Sequence, residues 1–261
     1  MGNAETILEL KNLGIGYYVG GKKISVVNSI YTSLHKGELV CILAPNGAGK
    51  STLLKTITGI LPSLNGEIKI LGERLNSIPA KDLAAKISIV LTDRVEADML
   101  SVETLISFGR YPYTGWTGRL SREDDKIIEA AIEITGLQKL RKNFVSRLSD
   151  GEKQKVMIAR AVAQQTPIMI LDEPTAFLDL PNKVMIMRLL KRLTREFSKT
   201  ILISTHDLEM ALQTADKAWL ISPDGQFYQG TPQELADNGS IHITFPQVEF
   251  DKNSGKFIFS V

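Results

Sequence analysis

The stretch "ELVCILAPNGAGKSTLLKTITGI", from Glu38 to Ile60, constrains this chain more than any other. Its first part is an apolar, β-branched-rich run that reads as a buried strand. Its last part carries Leu53, Leu54, Ile57 and Ile60 at close to helical spacing. Between them stand Pro45, Asn46, Gly47, Ala48, Gly49, Lys50, Ser51 and Thr52. Strand, glycine-containing turn and helix together let backbone N–H groups of the turn and the helix N-terminus converge on phosphate oxygens. The pattern G-x-x-x-x-G-K-[ST] is met except at its first position, where Ala44 replaces glycine. Alanine excludes phosphate binding only if that position needs a positive φ. The last residue of a strand can keep φ negative, so the substitution is tolerated. On this reading Lys50 binds the β- and γ-phosphates of a nucleotide and Ser51 holds Mg²⁺.

Composition narrows the function further. With 261 residues the chain can bury a full core. A formal net charge of +2 is too near neutral for binding nucleic acid or a lipid surface by charge alone. No apolar run reaches the length of a membrane span, and the start "MGNAETILELKN" lacks the apolar core of a signal peptide. The single cysteine, Cys41, lies inside the strand before the phosphate loop; it reads as a small core residue in a reducing compartment.

The first third of the chain reads as short strands separated by turn signals at Gly20-Gly21, His35-Lys36-Gly37 and Asn65-Gly66. From Ser101 the period turns helical, with Ser121 as N-cap of "SREDDKIIEAAIEITG". Beyond "PIMILDEP" strands and helices alternate, which implies a parallel sheet with crossover helices. The expected fold is therefore α/β: a phosphate-loop nucleotide-binding core with a mainly parallel sheet, an N-terminal antiparallel β layer and an inserted all-helical subdomain. As one domain it divides into a core over 1–94 and 166–240, a helical insertion over 95–165 and a C-terminal β-hairpin over 241–261, turning at Asp251–Gly255.

"IMILDEPTAFLD" supplies the partner that a phosphate loop requires. An apolar strand ends in Asp172, suited to the Mg²⁺ shell, and Glu173 follows, placed to polarise a water as general base. "TILISTHD" ends a further apolar strand at His206 and Asp207. Parallel strands in one sheet bring their C-terminal ends to one edge, where ligands bind. His206 is therefore expected beside Lys50, Asp172 and Glu173.

"RLSDGEKQKVMIARAVAQ" places Leu148, Ser149, Asp150, Gly151 and Glu152 at the start of a helix. Here the chain resembles the ATP-binding cassette ATPases, whose "LSGGQ" signature is written "LSDGE". The resemblance covers nearly the whole chain: Tyr17 at the adenine-stacking position, the loop at 44–52, the signature, "ILDEP", "FLD" and "STHD", in that order. It implies a head-to-tail dimer with two ATP molecules sandwiched between phosphate loop and signature. Ser149 and Gly151 would serve the partner's nucleotide, Glu173 would be the base, His206 the γ-phosphate sensor, and Asp179 the residue linking the two sites. The dimer would drive a separate transmembrane permease from the cytoplasmic side of the membrane, as a peripheral subunit.

"GRYPYTGWTGRLSRED", "KVMIARAVAQ" and "TAFLDLPN" resemble the ATPases of ferric-siderophore, haem and cobalamin importers, whose permeases are fed by a substrate-binding protein. In that group the insertion receives the permease, which makes Tyr111, Tyr113 and Trp116 interface candidates. Four positions, in three motifs, depart from the family. Ala44 replaces the first loop glycine, Asp150 and Glu152 replace the signature's first glycine and its glutamine, and Thr92 stands where the family has a glutamine contacting Mg²⁺ and the attacking water. The shorter threonine is expected to reach either through a bridging water. Two other readings fit the same motifs: a non-transport cassette ATPase, for example in iron–sulfur assembly, and a regulatory module that closes on ATP with weak hydrolysis.

Overall fold

The computed structural model describes residues 5–92, 99–251 and 256–259, with side chains as far as Val248. The start of the chain, the first residues of the expected insertion (95–98) and the tip of the C-terminal hairpin (252–255) lie outside the described residues. In chain order the core opens with β1 (Thr6–Val19), β2 (Lys22–His35), β3 (Leu39–Leu43) and α1 (Lys50–Ile57). It continues through β4 (Asn65–Ile70), β5 (Glu73–Arg74), α2 (Ala80–Ala84) and β6 (Ile87–Val90). Helices follow: α3 (Val102–Ser107), a 3₁₀ turn over Phe108–Tyr113, α4 (Arg122–Thr135) and α5 (Asp150–Ala163). The chain then returns to β7 (Ile168–Asp172), α6 (Leu180–Phe197), β8 (Thr200–Thr205), α7 (Leu208–Thr214), β9 (Lys217–Ile221) and β10 (Phe227–Gly230). It closes with α8 (Pro232–Asp237), α9 (Ser240–Thr244), β11 (Val248–Asp251) and β12 (Lys256–Phe259).

Two sheets result. β2-β1-β4-β5 is antiparallel, and β10-β9-β3-β8-β7-β6 is parallel throughout except for the edge strand β10. Strands of the parallel sheet are buried on both faces, which is why they read as unbroken apolar runs. Alternate side chains of β3 separate accordingly. Leu39, Cys41 and Leu43 pack with the helices α3 to α7, while Val40, Ile42 and Ala44 pack with α1 and the antiparallel sheet.

The insertion is tied at one buried ion pair. Arg110 donates from Nε to Asp124 Oδ1 at 2.7 Å and from a terminal nitrogen to Ala163 O at 2.8 Å, joining the 3₁₀ turn to the start of α4 and the end of α5. Ser121 and Asp124 cap α4 reciprocally, and the bonds from Ser121 and Arg110 hold the Asp124 carboxyl down to about 2. The Tyr113 ring lies under the Arg110 guanidinium, with 4.1 Å from that carbon to the ring centroid, and its hydroxyl donates to Gln164 O at 2.8 Å. Tyr111 stacks on Phe108, whereas Trp116 is fully exposed.

Two local expectations need correction. Ile241–Thr244 is helical: Ser240, Ile241 and Thr244 are buried together at helical spacing after a left-handed Gly239, so the strand pairing is confined to 248–259. Asn65 and Gly66, read as a turn, are the first residues of β4, where Asn65 faces Gly14 of β1. The short helices α2 and α8 had no counterpart in the reading, although Thr231 and Glu234 form a capping box around Pro232.

Candidate active site

The phosphate loop leaves β3 at Ala44, which is buried and absent from the described residues with positive φ. Pro45 O accepts from Ala48 N at 3.2 Å, Asn46 and Gly47 are exposed, and Gly49 takes φ 107° as the N-cap of α1. Lys50 is buried at the first turn of α1; Ser51 and Thr52 beside it are half-buried. The strand ends β3, β7 and β8 adjoin in the sheet and point the same way, so their C-terminal residues converge.

The convergence is tight. Lys50 Nζ donates to Ala44 O at 2.9 Å and lies 3.2 Å from His206 Nδ1. A lysine ammonium has only donors, so Nδ1 accepts and the neutral imidazole carries its proton on Nε2. Nε2 in turn meets Glu173 Oε1. Burial lowers the Lys50 pKa, and the charges of Glu173 and Asp172 oppose that shift in part. Ser51 Oγ lies 3.3 Å from Asp172 Oδ1, which also accepts from Ser204 Oγ at 2.5 Å.

Glu173 has φ 48°, a left-handed value outside the usual range for a residue with Cβ. Its N–H donates to Ser204 Oγ at 2.9 Å. Thr92 Oγ1 donates to Asp172 O at 2.9 Å, so this hydroxyl proton is engaged on the main chain. Tyr17 is exposed on β1, two residues beyond the buried Ile15 that flanks Gly49.

Ser149 and Gly151 stand in different surroundings. Ser149 caps α5: its Oγ accepts from Glu152 N at 3.3 Å, and Glu152 Oε2 accepts from Ser149 N at 2.9 Å. The Glu152 carboxylate is thus turned back onto the cap. Gly151 abuts α6, where a Cβ would lie 2.5 Å from Asn182 Oδ1. Asp179 caps α6 by accepting from Asn182 N at 3.1 Å. A cavity of about 100 Å³ is lined by Thr92, Glu173 and Phe177 from the core and by Asp150, Lys153 and Gln154 from α5.

Sequence reasoning overlooked two side chains. Ser204 stood in plain view as the polar residue that follows the apolar Ile201–Ile203 run of β8. Asn182 had no local signal, because its significance comes from the approach of α5 to α6.

A buried lysine, hard oxygen donors and a histidine–glutamate pair at the end of a phosphate loop are suited to binding and cleaving a nucleoside triphosphate. A family model described as ABC transporter matches residues 27–176. An ABC transporter ATP-binding protein of Methanocaldococcus jannaschii is 42% identical over 88% of this chain and 78% of its own. The iron(3+)-hydroxamate import ATP-binding protein of Bacillus subtilis is 36% identical over 87% and 83%, respectively. A dimeric ATP-binding cassette solved in a post-hydrolysis state with ADP and Pi superposes with TM-score 0.74 at 28% identity, covering 87% of this chain and 99% of that one. No helix among the described residues is long and apolar enough to cross a membrane. The chain belongs to the ABC transporter family, as one of its ATP-binding, ATP-hydrolysing subunits.

Proposed function

We propose that this ATPase drives an importer of iron chelates, working as a head-to-tail dimer beneath a separate permease on the cytoplasmic face of the membrane. The observation that carries the hydrolytic part is the chain Lys50–His206–Glu173 beside the Ser51–Asp172 pair. Two of the three Lys50 donors are engaged by Ala44 O and His206 Nδ1, which leaves one for a phosphate oxygen. Glu173 keeps a second carboxylate oxygen with which to accept the proton of a water attacking the γ-phosphorus, as the bond to the β-phosphate oxygen breaks. His206 holds that carboxylate in place through Nε2–H.

Ser51 Oγ and Asp172 Oδ1 are hard oxygens 3.3 Å apart, a donor pair of the kind Mg²⁺ takes alongside phosphates and water. Bound there, the ion would neutralise charge on the β- and γ-oxygens. Tyr17 stacks on adenine in this reading, and residues 45–52 wrap the phosphates. Ser149, Gly151 and Asp179 act across the dimer.

We assign 1–94 and 166–240 to the ATPase core and 95–165 to the insertion that meets the permease. Trp116, fully exposed, is then the stronger contact candidate, since Tyr113 is engaged inside the insertion. The cargo class rests on relatives named for iron(3+)-hydroxamate and petrobactin import. The test is affinity purification of the tagged chain from its native membranes. A polytopic membrane protein should co-purify, and deleting that partner should abolish uptake of radiolabelled ferric hydroxamate. Recovery with soluble proteins alone would favour a non-transport ATPase.

A further inference from the structure

Thr92 acts where β6 has already left its ladder. Pairing of β6 with β7 ends at Val90 and Leu171, yet two residues later the Thr92 hydroxyl donates to the Asp172 carbonyl at 2.9 Å. On the opposite flank Asp172 pairs with Ser204 of β8. Ser204 gives its hydroxyl proton to Asp172 Oδ1 and accepts the Glu173 N–H. The Asp172–Glu173 peptide is therefore held from both sides. It needs holding, because Glu173 has φ 48°, a conformation that persists in a residue with Cβ only where its neighbours over-determine the backbone.

We propose that Thr92 is a positioning residue: its hydroxyl, bonded to Asp172 O, fixes the strand end that aims the Glu173 carboxylate, and it is not a magnesium ligand. Thr92 meets Asp172 at the main-chain oxygen, whereas Oδ1 is directed toward Ser51 and Ser204. Donation to Asp172 O orients the Thr92 hydroxyl onto the main chain of the strand end. The proposal rests on the reading of Glu173 as the base.

Thr92→Val keeps the shape and removes the donor, while Thr92→Ser keeps the donor. For each we would measure kcat, KM for ATP, the Mg²⁺ concentration at half-maximal binding of a fluorescent ATP analogue, and hydrogen exchange over residues 170–176. Thr92→Val should lower kcat roughly three- to tenfold, as loss of one net hydrogen bond would. KM and the Mg²⁺ midpoint should stay within about twofold, exchange should quicken, and Thr92→Ser should restore kcat to within about twofold. Thr92→Ala repeats the measurement if the valine variant does not fold. A tenfold or larger shift in the Mg²⁺ midpoint would make Thr92 a metal ligand and overturn the proposal, as would unchanged kcat and exchange in Thr92→Val. Glu173→Gln in the same series separates the two assignments. If it turns over near the wild-type rate, the base reading fails; if it is inactive while Thr92→Val matches wild type, the positioning role alone fails.

Discussion

Gly49 is confined by conformation and by space at once, and replacing it with alanine should cripple nucleotide binding. Its φ of 107° lies where residues with a Cβ are strained, at a cost of about 1–3 kcal/mol. An added Cβ would also stand 2.3 Å from Val26 Cγ1. Val26 belongs to β2 and is β-branched, so it has little rotamer freedom with which to yield. Overpacking of this kind costs about 1–3 kcal/mol more. The sum is about 2–6 kcal/mol, and even its lower bound, borne by the loop, weakens ATP about thirtyfold.

Val26→Ala in the Gly49→Ala background removes Cγ1 and relieves the overlap, but not the strained φ. Binding should then recover roughly five- to hundredfold while staying below wild type. The assay is titration with a fluorescent ATP analogue, with thermal unfolding run alongside to separate loop damage from global loss. Gly49→Ala binding ATP as wild type does, or Val26→Ala failing to improve it, would refute the account of how the antiparallel layer supports the phosphate loop.

Two further outcomes are expected. Asp124→Asn removes a carboxylate whose pKa is lowered from 3.8 to about 2, and leaves the buried Arg110 without its ion partner. A depressed carboxylate contributes stability above its unfolded pKa and loses it as pH falls through the folded one. The deficit in urea unfolding, about 2–3 kcal/mol at pH 7, should therefore shrink between about pH 4 and pH 2; a deficit independent of pH would argue against the ion pair. Asp150→Gly removes a negative charge from the first turn of α5, the end that the proposed dimer turns toward the partner's γ-phosphate. ATP-driven dimerisation, followed by light scattering, should tighten roughly two- to fivefold, most at low salt. No change across a salt series would mean that the carboxylate points away from the nucleotide.

The core of the site was legible because it depends on strand ends. Asp172, Glu173 and His206 each close an apolar run, and parallel pairing of such runs forces their C-termini to one edge. The tolerance of Ala44 followed from the same logic, since the end of a strand leaves φ negative. Contacts across the sheet were not legible. Thr92 and Asp172 are separated by eighty residues, and their hydrogen bond exists only once β6 and β7 are in register. Ser204 faces the same difficulty, because its two bonds run sideways to β7. The Gly151–Asn182 contact arises from packing of helix against helix, to which the spacing within either helix is blind. At Ile241–Thr244 the alternation of apolar and polar residues matched a strand, but burial at helical spacing against the core decided the outcome.

The central claim is that Glu173, held by His206 and the Ser204-braced strand end, is the base of an ATPase that closes as a dimer. Steady-state turnover of Glu173→Gln, with light scattering on the same sample, tests it most directly. The substitution keeps size and hydrogen-bonding reach and removes only the proton acceptor. Turnover should fall by at least about 10²-fold, and ATP with Mg²⁺ should hold a stable dimer that the wild type forms only transiently. Hydrolysis near the wild-type rate would contradict the account.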